Sequence, residues 1–348
     1  MSALEPPPRA RVVARVVGVI ALLVAACSRQ PPANRAASPS VSSPENLRQR
    51  VQVRRDAVQG TVAALPPWRM PAPARLVAVG DIHGDQTAAR NVLRLAGAID
   101  AQDHWSGGAL VVVQTGDVLD RGDDERELLD WFQRLRDEAT RAGGAFVMLN
   151  GNHEIMNVEA DFRYVTPGGY DDFREFVSLA NGSPAAARLP PEVVARTAAF
   201  APGGPYARRL AELNTVVVVG DTVFVHGGLR ESDVRYGFER MNTEVRAWML
   251  GDSPDPPAMV RDDDGPVWSR VYALRSDPET CNELGRVLAA ASLRRLVIGH
   301  TVQSNGMNSA CDGRVWRIDV GLARYYRGPT QALEVVGANA RILGDDAR

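Results

Sequence analysis

The 348-residue chain is 45% hydrophobic and 24% charged, a balance that suits a globular protein and excludes a largely disordered one. Its 40 Lys and Arg against 42 Asp and Glu leave a formal charge of −2, and aromatic residues make up only 6%. With no clustered basic face and few rings to stack on bases, a nucleic-acid partner is not expected.

The N-terminus reads as a targeting segment rather than as part of a fold. Arg9, Arg11 and Arg15 precede an apolar run from Val16 to Ala26, shorter than the ~20 residues a bilayer span needs but of the length of a signal-peptide core. The run ends in Val24-Ala25-Ala26-Cys27. That ending resembles a bacterial lipobox, which implies removal of residues 1–26 and lipid attachment at Cys27. Ser28, not Asp, follows, which leans towards the outer membrane of a bacterial envelope, facing the periplasm. Residues 27–73 are rich in Pro, Ala and Ser and read as a disordered tether, with a helix within Glu45 to Ala63 as a further expectation. The globular domain is placed at 74–348.

From Arg75 one arrangement recurs. The apolar run Arg75 to Val79 ends in GDIHG (80–84), and a helix follows from Gln86 to about Ala96 with Asp85 placed to cap it. Ala109 to Val113 ends in GDVLDRG (116–122), followed by a helix from about Glu125 to Ala142 that Gly143-Gly144 stops. Ala145 to Leu149 ends in GNHE (151–154). This alternation is the signature of parallel strands joined by helices. Val216 to Val219 and Thr222 to Val225 read as an antiparallel pair ending in HGG (226–228), and Arg295 to Ile298 ends in GHT (299–301).

Five strand ends therefore carry polar, metal-competent side chains beside Gly, and sites in open α/β sheets form at the carboxyl ends of strands. Four of the five histidines fall at these ends. The candidate ligands are Asp81, His83, Asp117, Asn152, His226 and His300. Mixed carboxylate, imidazole and amide donors suit Mn, Fe or Zn, and six donors suit two metals sharing one carboxylate.

In this order the motifs resemble the metallophosphoesterase superfamily, and within its PPP-type phosphatases they are most similar to the Shewanella-like bacterial branch. LNGNHE in place of LRGNHE, the absence of a SAPNYC motif, GPVWSR (265–270), GHTVQ (299–303) and the DVG at Asp319 favour that branch. The resemblance spans about Arg75 to Tyr326. It implies an α/β fold, a four-layer αββα sandwich of mixed sheets with the metal site at strand ends. It also implies two divalent metals, Mn²⁺ before Fe or Zn, and a metal-activated water that attacks phosphorus in line. Asp81 and His83 would hold one metal, and Asn152, His226 and His300 the other, with Asp117 bridging. Arg121 would clamp phosphate, Arg270 would be a second clamp, and His153 with Asp120 would protonate the leaving oxygen.

Blander readings stand beside these. Asp120 could cap a helix and Arg121 could pair on the surface. Glu154 reads as a local hydrogen-bonding residue, Asp85 as a cap, His104 as exposed and Asp262-Asp263-Asp264 as solvated surface. Tyr325 and Tyr326 either line the cleft or pack. Cys281 and Cys311 are either a disulfide or two reduced thiols. The helical insertion at about 157–213 is expected to overhang the site as a lid. The function expected is phosphomonoester hydrolysis on a phosphorylated protein, peptide or small phosphomonoester, leaning to phosphotyrosine. The alternatives are a dinucleoside polyphosphate or other phosphoanhydride hydrolase, and a lipid-anchored envelope binding protein with a vestigial metal site.

Overall fold

The computed structural model describes residues 44–344 apart from 52, 54–62, 181, 183 and 185. The signal segment, the lipobox with Cys27 and the first part of the tether lie outside the described residues. Among the described residues no helix is long and apolar enough to cross a membrane.

The strands are β1 (Arg69–Met70), β2 (Leu76–Val79), β3 (Val111–Gln114), β4 (Ala145–Met148), β5 (Val216–Val219), β6 (Thr222–Val225), β7 (Arg295–Ile298), β8 (Asn308–Ala310), β9 (Val315–Arg317), β10 (Ala332–Val336) and β11 (Asn339–Leu343). They form one sheet in the order β11-β10-β2-β3-β4 and a second in the order β1-β5-β6-β7-β9-β8. The expected strand–helix alternation gives the parallel β2-β3-β4 set. The Gly220-Asp221 turn gives the antiparallel β5-β6 pair, and β7 and β9 then run parallel to β6.

Both sheets are mixed, and they share one core. Successive strand residues point to opposite faces, so Val217, Val219, Phe224 and Val297 join the core that also holds Val77, Val79 and Val113. Val216, Val218, Val223, Val225, Leu296 and Ile298 face the other way, against Leu284, Val287 and Leu288 of the helix Pro278–Ala291. On the first sheet the helix Glu125–Arg141 sets Phe132 against Phe146 of β4, with ring centroids 5.1 Å apart. This is the expected layering of helix, two sheets and helix.

Two expectations are corrected. The tether does not run unstructured to Pro73, and part of the helix expected within Glu45 to Ala63 is present as Pro44–Arg50. The helix Pro44–Arg50 buries Leu47 against Phe162, Tyr170 and Val193, and Val51 packs against Val194 and Ala198. Further on, β1 pairs with β5, and Asn214 Nδ2 donates to Pro66 O. Average composition hid this: Leu47 and Val51, four residues apart, are enough to dock one helical face. The insertion is helical as expected, with helices Pro167–Asp171, Pro191–Phe200 and Pro205–Leu210, but it is not only a lid. Phe173, Phe200 and Leu210 belong to the main core. Cys281 and Cys311 form a disulfide, tying the Pro278–Ala291 helix to the turn before β9.

Candidate active site

The GDIHG, GDVLDRG and GHT motifs close in tight turns, and GNHE opens the helix Asn152–Val158. His83, Asp117, Asp120, Arg121 and His300 all hold left-handed backbone, with φ between 49° and 68°, a strained conformation that tends to cluster at functional sites. The carboxylate of Glu154 holds one such turn, accepting from the backbone N–H groups of Asp117, Val118, Leu119 and Gly151. The hydrogen-bonding role read for it holds, but only Gly151 N is a local partner. Asp85 caps the helix Gln86–Leu95 through Ala88 N, and His104 is a surface residue against Glu138.

The buried donors converge on Asp117. Its Oδ2 lies 3.2 Å from His226 Nε2, 3.9 Å from His83 Nε2 and 3.8 Å from His153 Nε2. His226 Nε2 is also 2.9 Å from Asn152 Oδ1 and 3.1 Å from His300 Nδ1. His226 Nδ1 donates to Thr115 O and His83 Nδ1 to Leu119 O, each at 3.0 Å. With those protons placed, the His226 Nε2 lone pair faces the acceptors Asn152 Oδ1 and Asp117 Oδ2, an arrangement that a cation satisfies. Asp81 accepts from His300 N at 3.1 Å.

The electrostatics agree. Burial, then Asp319 and Asp117, push Asp81 well above the usual carboxylate range, and a cation among these carboxylates would reverse that. Burial and neighbouring His153 press His83 down to about 3, and burial with His226 keeps His300 well below its ordinary value. Both imidazoles are thus neutral, the ligand form. The residues present therefore fit a pair of divalent metals.

Two donor clusters share Asp117: His83, Asp117 and His153, and Asp117, His226 and His300. The second joins Asp117 to His226 and His300, and Asn152 Oδ1 lies 2.9 Å from His226 Nε2. In the first, His153 stands as close as a ligand would, while Asp81 reaches the site beside His300 and Asp319. His153 differs from the other histidines in its partner. Its Nδ1 lies 2.5 Å from Asp120 Oδ2, and against the cost of burial Asp117 and Asp120 hold it above its ordinary value. That favours a proton carrier over a ligand. Asp120 is buried and caps no helix.

Arg121 projects beside the donors, Nη1 3.4 Å from His83 Nε2. The faces of Tyr164, Tyr326 and Tyr325 lie 4.8, 5.1 and 5.7 Å from its guanidinium carbon, and among the described residues its buried Nε has no partner. Tyr325 and Tyr326 thus line the site. Arg270 is at the rim, with Nη1 bonded to His300 O and Thr301 Oγ1; there it braces the GHT turn.

Three residues near the site had been given no role from the sequence. Asp319, buried and pushed up to about 6 mainly by burial, lies two residues after β9 as Asp81 lies two residues after β2, so its position could have flagged it, although Arg317 interrupts the apolar pattern there. Tyr164 and Arg196 lie in the insertion. The signal for Arg196 was a lone cation in the apolar helix Pro191–Phe200.

Residues 74–304 match the calcineurin-like phosphoesterase family. Over 286 residues the chain is 41% identical to Shewanella-like protein phosphatase 2 of Arabidopsis thaliana, covering 74% of this chain and 73% of that protein. Over 260 residues it is 30% identical to Shewanella-like protein phosphatase 1 of Plasmodium berghei, covering 72% and 68%. A crystal structure of a cold-active protein-tyrosine phosphatase from a psychrophilic Shewanella superposes with a TM-score of 0.67 at 22% identity, covering 82% of this chain and 85% of that one.

Proposed function

The chain belongs to the calcineurin-like phosphoesterase family and is a metal-dependent phosphoric monoester hydrolase, and we propose that its substrates are phosphorylated proteins or peptides, phosphotyrosine before phosphoserine. The observation that carries the reading is Asp117, whose carboxylate is shared by two buried donor clusters beside the guanidinium of Arg121. The names of the relatives support protein substrates. The tyrosine faces around Arg121 support an aryl ester, whose ring they would pack against.

We assign Asp81, His83 and Asp117 to one metal, and Asp117, Asn152, His226 and His300 to the other. The mixed donors suit Mn²⁺ first, with Fe or Zn as alternatives. When bound, the metals supply an activated water and offset charge on the phosphoryl oxygens. Arg121 holds phosphate oxygens with its planar fork, which the tyrosine faces keep in place. His153 Nε2 gives its proton to the ester oxygen as the P–O bond breaks, while Nδ1–H stays on Asp120.

The test is hydrolysis by residues 28–348 after chelation and re-addition of Mn²⁺, Fe²⁺ or Zn²⁺. Substrates are p-nitrophenyl phosphate, matched phosphotyrosine and phosphoserine peptides, and a dinucleoside polyphosphate. Turnover should vanish with chelator and return with metal, fastest on the phosphotyrosine peptide. Turnover confined to the polyphosphate would overturn the substrate reading, and none from folded, metal-loaded protein would leave a binding role.

Residues 9–28 support a second proposal: a lipoprotein of a bacterial envelope, facing the periplasm and leaning to the outer membrane. Cys27→Ser should abolish incorporation of labelled palmitate and release the protein from membranes. Continued labelling of that variant would sink the proposal.

A further inference from the structure

Arg196 sits in the insertion helix Pro191–Phe200 and is 0% exposed. Its Nε donates to Asn157 Oδ1 at 2.9 Å. Nη1 donates to Glu125 Oε2 and Gly169 O, each at 2.6 Å, and Nη2 to Glu125 Oε1 at 3.2 Å and Asp120 Oδ1 at 3.4 Å. Every N–H of the guanidinium is thus engaged. The faces of Phe173 and Phe200 flank it, each centroid 5.0 Å away.

These partners are the rear of the proton-transfer pair. Asp120 Oδ2 meets His153 Nδ1, and Asp120 Oδ1 accepts from Asn157 and Arg196. Glu125 Oε1 in turn accepts from the backbone N of Asp120, in its left-handed turn, at 2.5 Å. One guanidinium therefore pins two carboxylates, one holding the backbone of Asp120 and the other holding the ring of His153. A hydrophobic side chain in place of Arg196 would leave the buried Glu125 and Asp120 carboxylates without their cation, and could not hold Asp120 in one orientation.

We propose that Arg196 is a positioning residue for leaving-group protonation, by which the insertion fixes the Asp120–His153 pair. The proposal rests on the assignment of His153 as leaving-group acid. Positioning makes a distinctive demand. Loss of Arg196 should hurt esters that need a proton on departure and spare those that do not, whereas general damage to the fold or metals would hurt both.

The experiment measures kcat and KM for phenyl phosphate and 2,4-dinitrophenyl phosphate with wild type, His153→Ala, Arg196→Met, Arg196→Lys and the double variant Glu125→Gln/Arg196→Met. His153→Ala should lose about 10²–10⁴-fold in kcat on phenyl phosphate and far less on the dinitrophenyl ester. Arg196→Met should lose about tenfold or more on phenyl phosphate at nearly unchanged KM, with little loss on the other ester. Arg196→Lys, which keeps the charge without the fork, should fall between. The double variant neutralises the carboxylate left behind, and repeats the comparison if Arg196→Met does not fold. Arg196→Lys also carries a readout without turnover: the downfield His153 Nδ1–H proton resonance of the metal-free protein should move upfield.

Equal losses on both esters, or none on either, beside a leaving-group-selective His153→Ala would overturn the proposal, as would an unmoved His153 resonance. A His153→Ala variant with no leaving-group selectivity would instead overturn the acid assignment itself.

Discussion

Asp117→Asn is expected to lower kcat by about 10³-fold or more, as loss of a preorganised charge at the reacting centre does. It should also remove most of the thermal stabilisation that divalent metal gives the wild type. The side chains are nearly isosteric, so the cause is charge. Asp117 alone belongs to both donor clusters. Although burial opposes its ionisation, His226 and His153 keep it well below the usual carboxylate range, so the wild type presents an anion. An amide there removes one unit of charge from both metals. Wild-type protein at a hundred times the metal dissociation constant should gain about 2.7 kcal/mol, and the variant only a small part of that. The checks are steady-state kinetics and thermal melts with and without Mn²⁺. A variant within tenfold of wild type that keeps the full metal-induced shift would mean that Asp117 does not join the two clusters.

Gly151→Ala tests the same site through the backbone. A Cβ on Gly151 would stand 2.2 Å from Asp117 Oδ1, 2.6 Å from Asp117 N and 3.0 Å from His226 Nδ1. Two of these are parts of the site and one is backbone, so no flexible chain end can yield. Either Asp117 moves, or the helix Asn152–Val158 moves and takes Asn152 and His153 with it. Overpacking of this kind costs about 1–3 kcal/mol of stability, and displacing ligands by a fraction of an ångström should cost about 10²-fold or more in kcat/KM. Gly143→Ala is the control. It has left-handed φ of 79° but nothing within 4 Å of the added methyl. It should lose about 1–2 kcal/mol and keep wild-type kcat and KM. Equal activity in the two variants would mean that the crowding at Gly151 is relieved without disturbing the ligands.

The pattern of the site was legible because each part of it is local. An apolar run, a glycine turn and one or two donors lie within about six residues of each other. The same device at β2, β3, β4, β6 and β7 identified Asp81, His83, Asp117, Asn152, His153, His226 and His300 without any knowledge of how the strands pair. The cap at Asp85 was legible for the same reason, since its partner Ala88 is a chain neighbour; three of the four donors to Glu154 lie 35–37 residues away. Arg270 read less well. A guanidinium near a metal site looks the same in sequence whether it clamps a ligand or braces the GHT turn.

What the chain determines by itself is the set of turns that aim donors at the end of a strand, because left-handed glycine-flanked backbone and strand periodicity are short-range chemistry. The tertiary structure decided which side chains stand behind those donors. Arg196 reaches partners 71 and 76 residues away, and the apolar helix around it does not say which carboxylates it meets. Leu47 and Val51 find their pockets across the insertion, a docking that the expectation of a helix in this stretch did not contain. Burying a charge or docking a lone helical turn is favourable only when distant groups complete the hydrogen bonds or close the apolar surface. Those groups are brought together by the packed sheets and the insertion, not by the residues beside them in sequence.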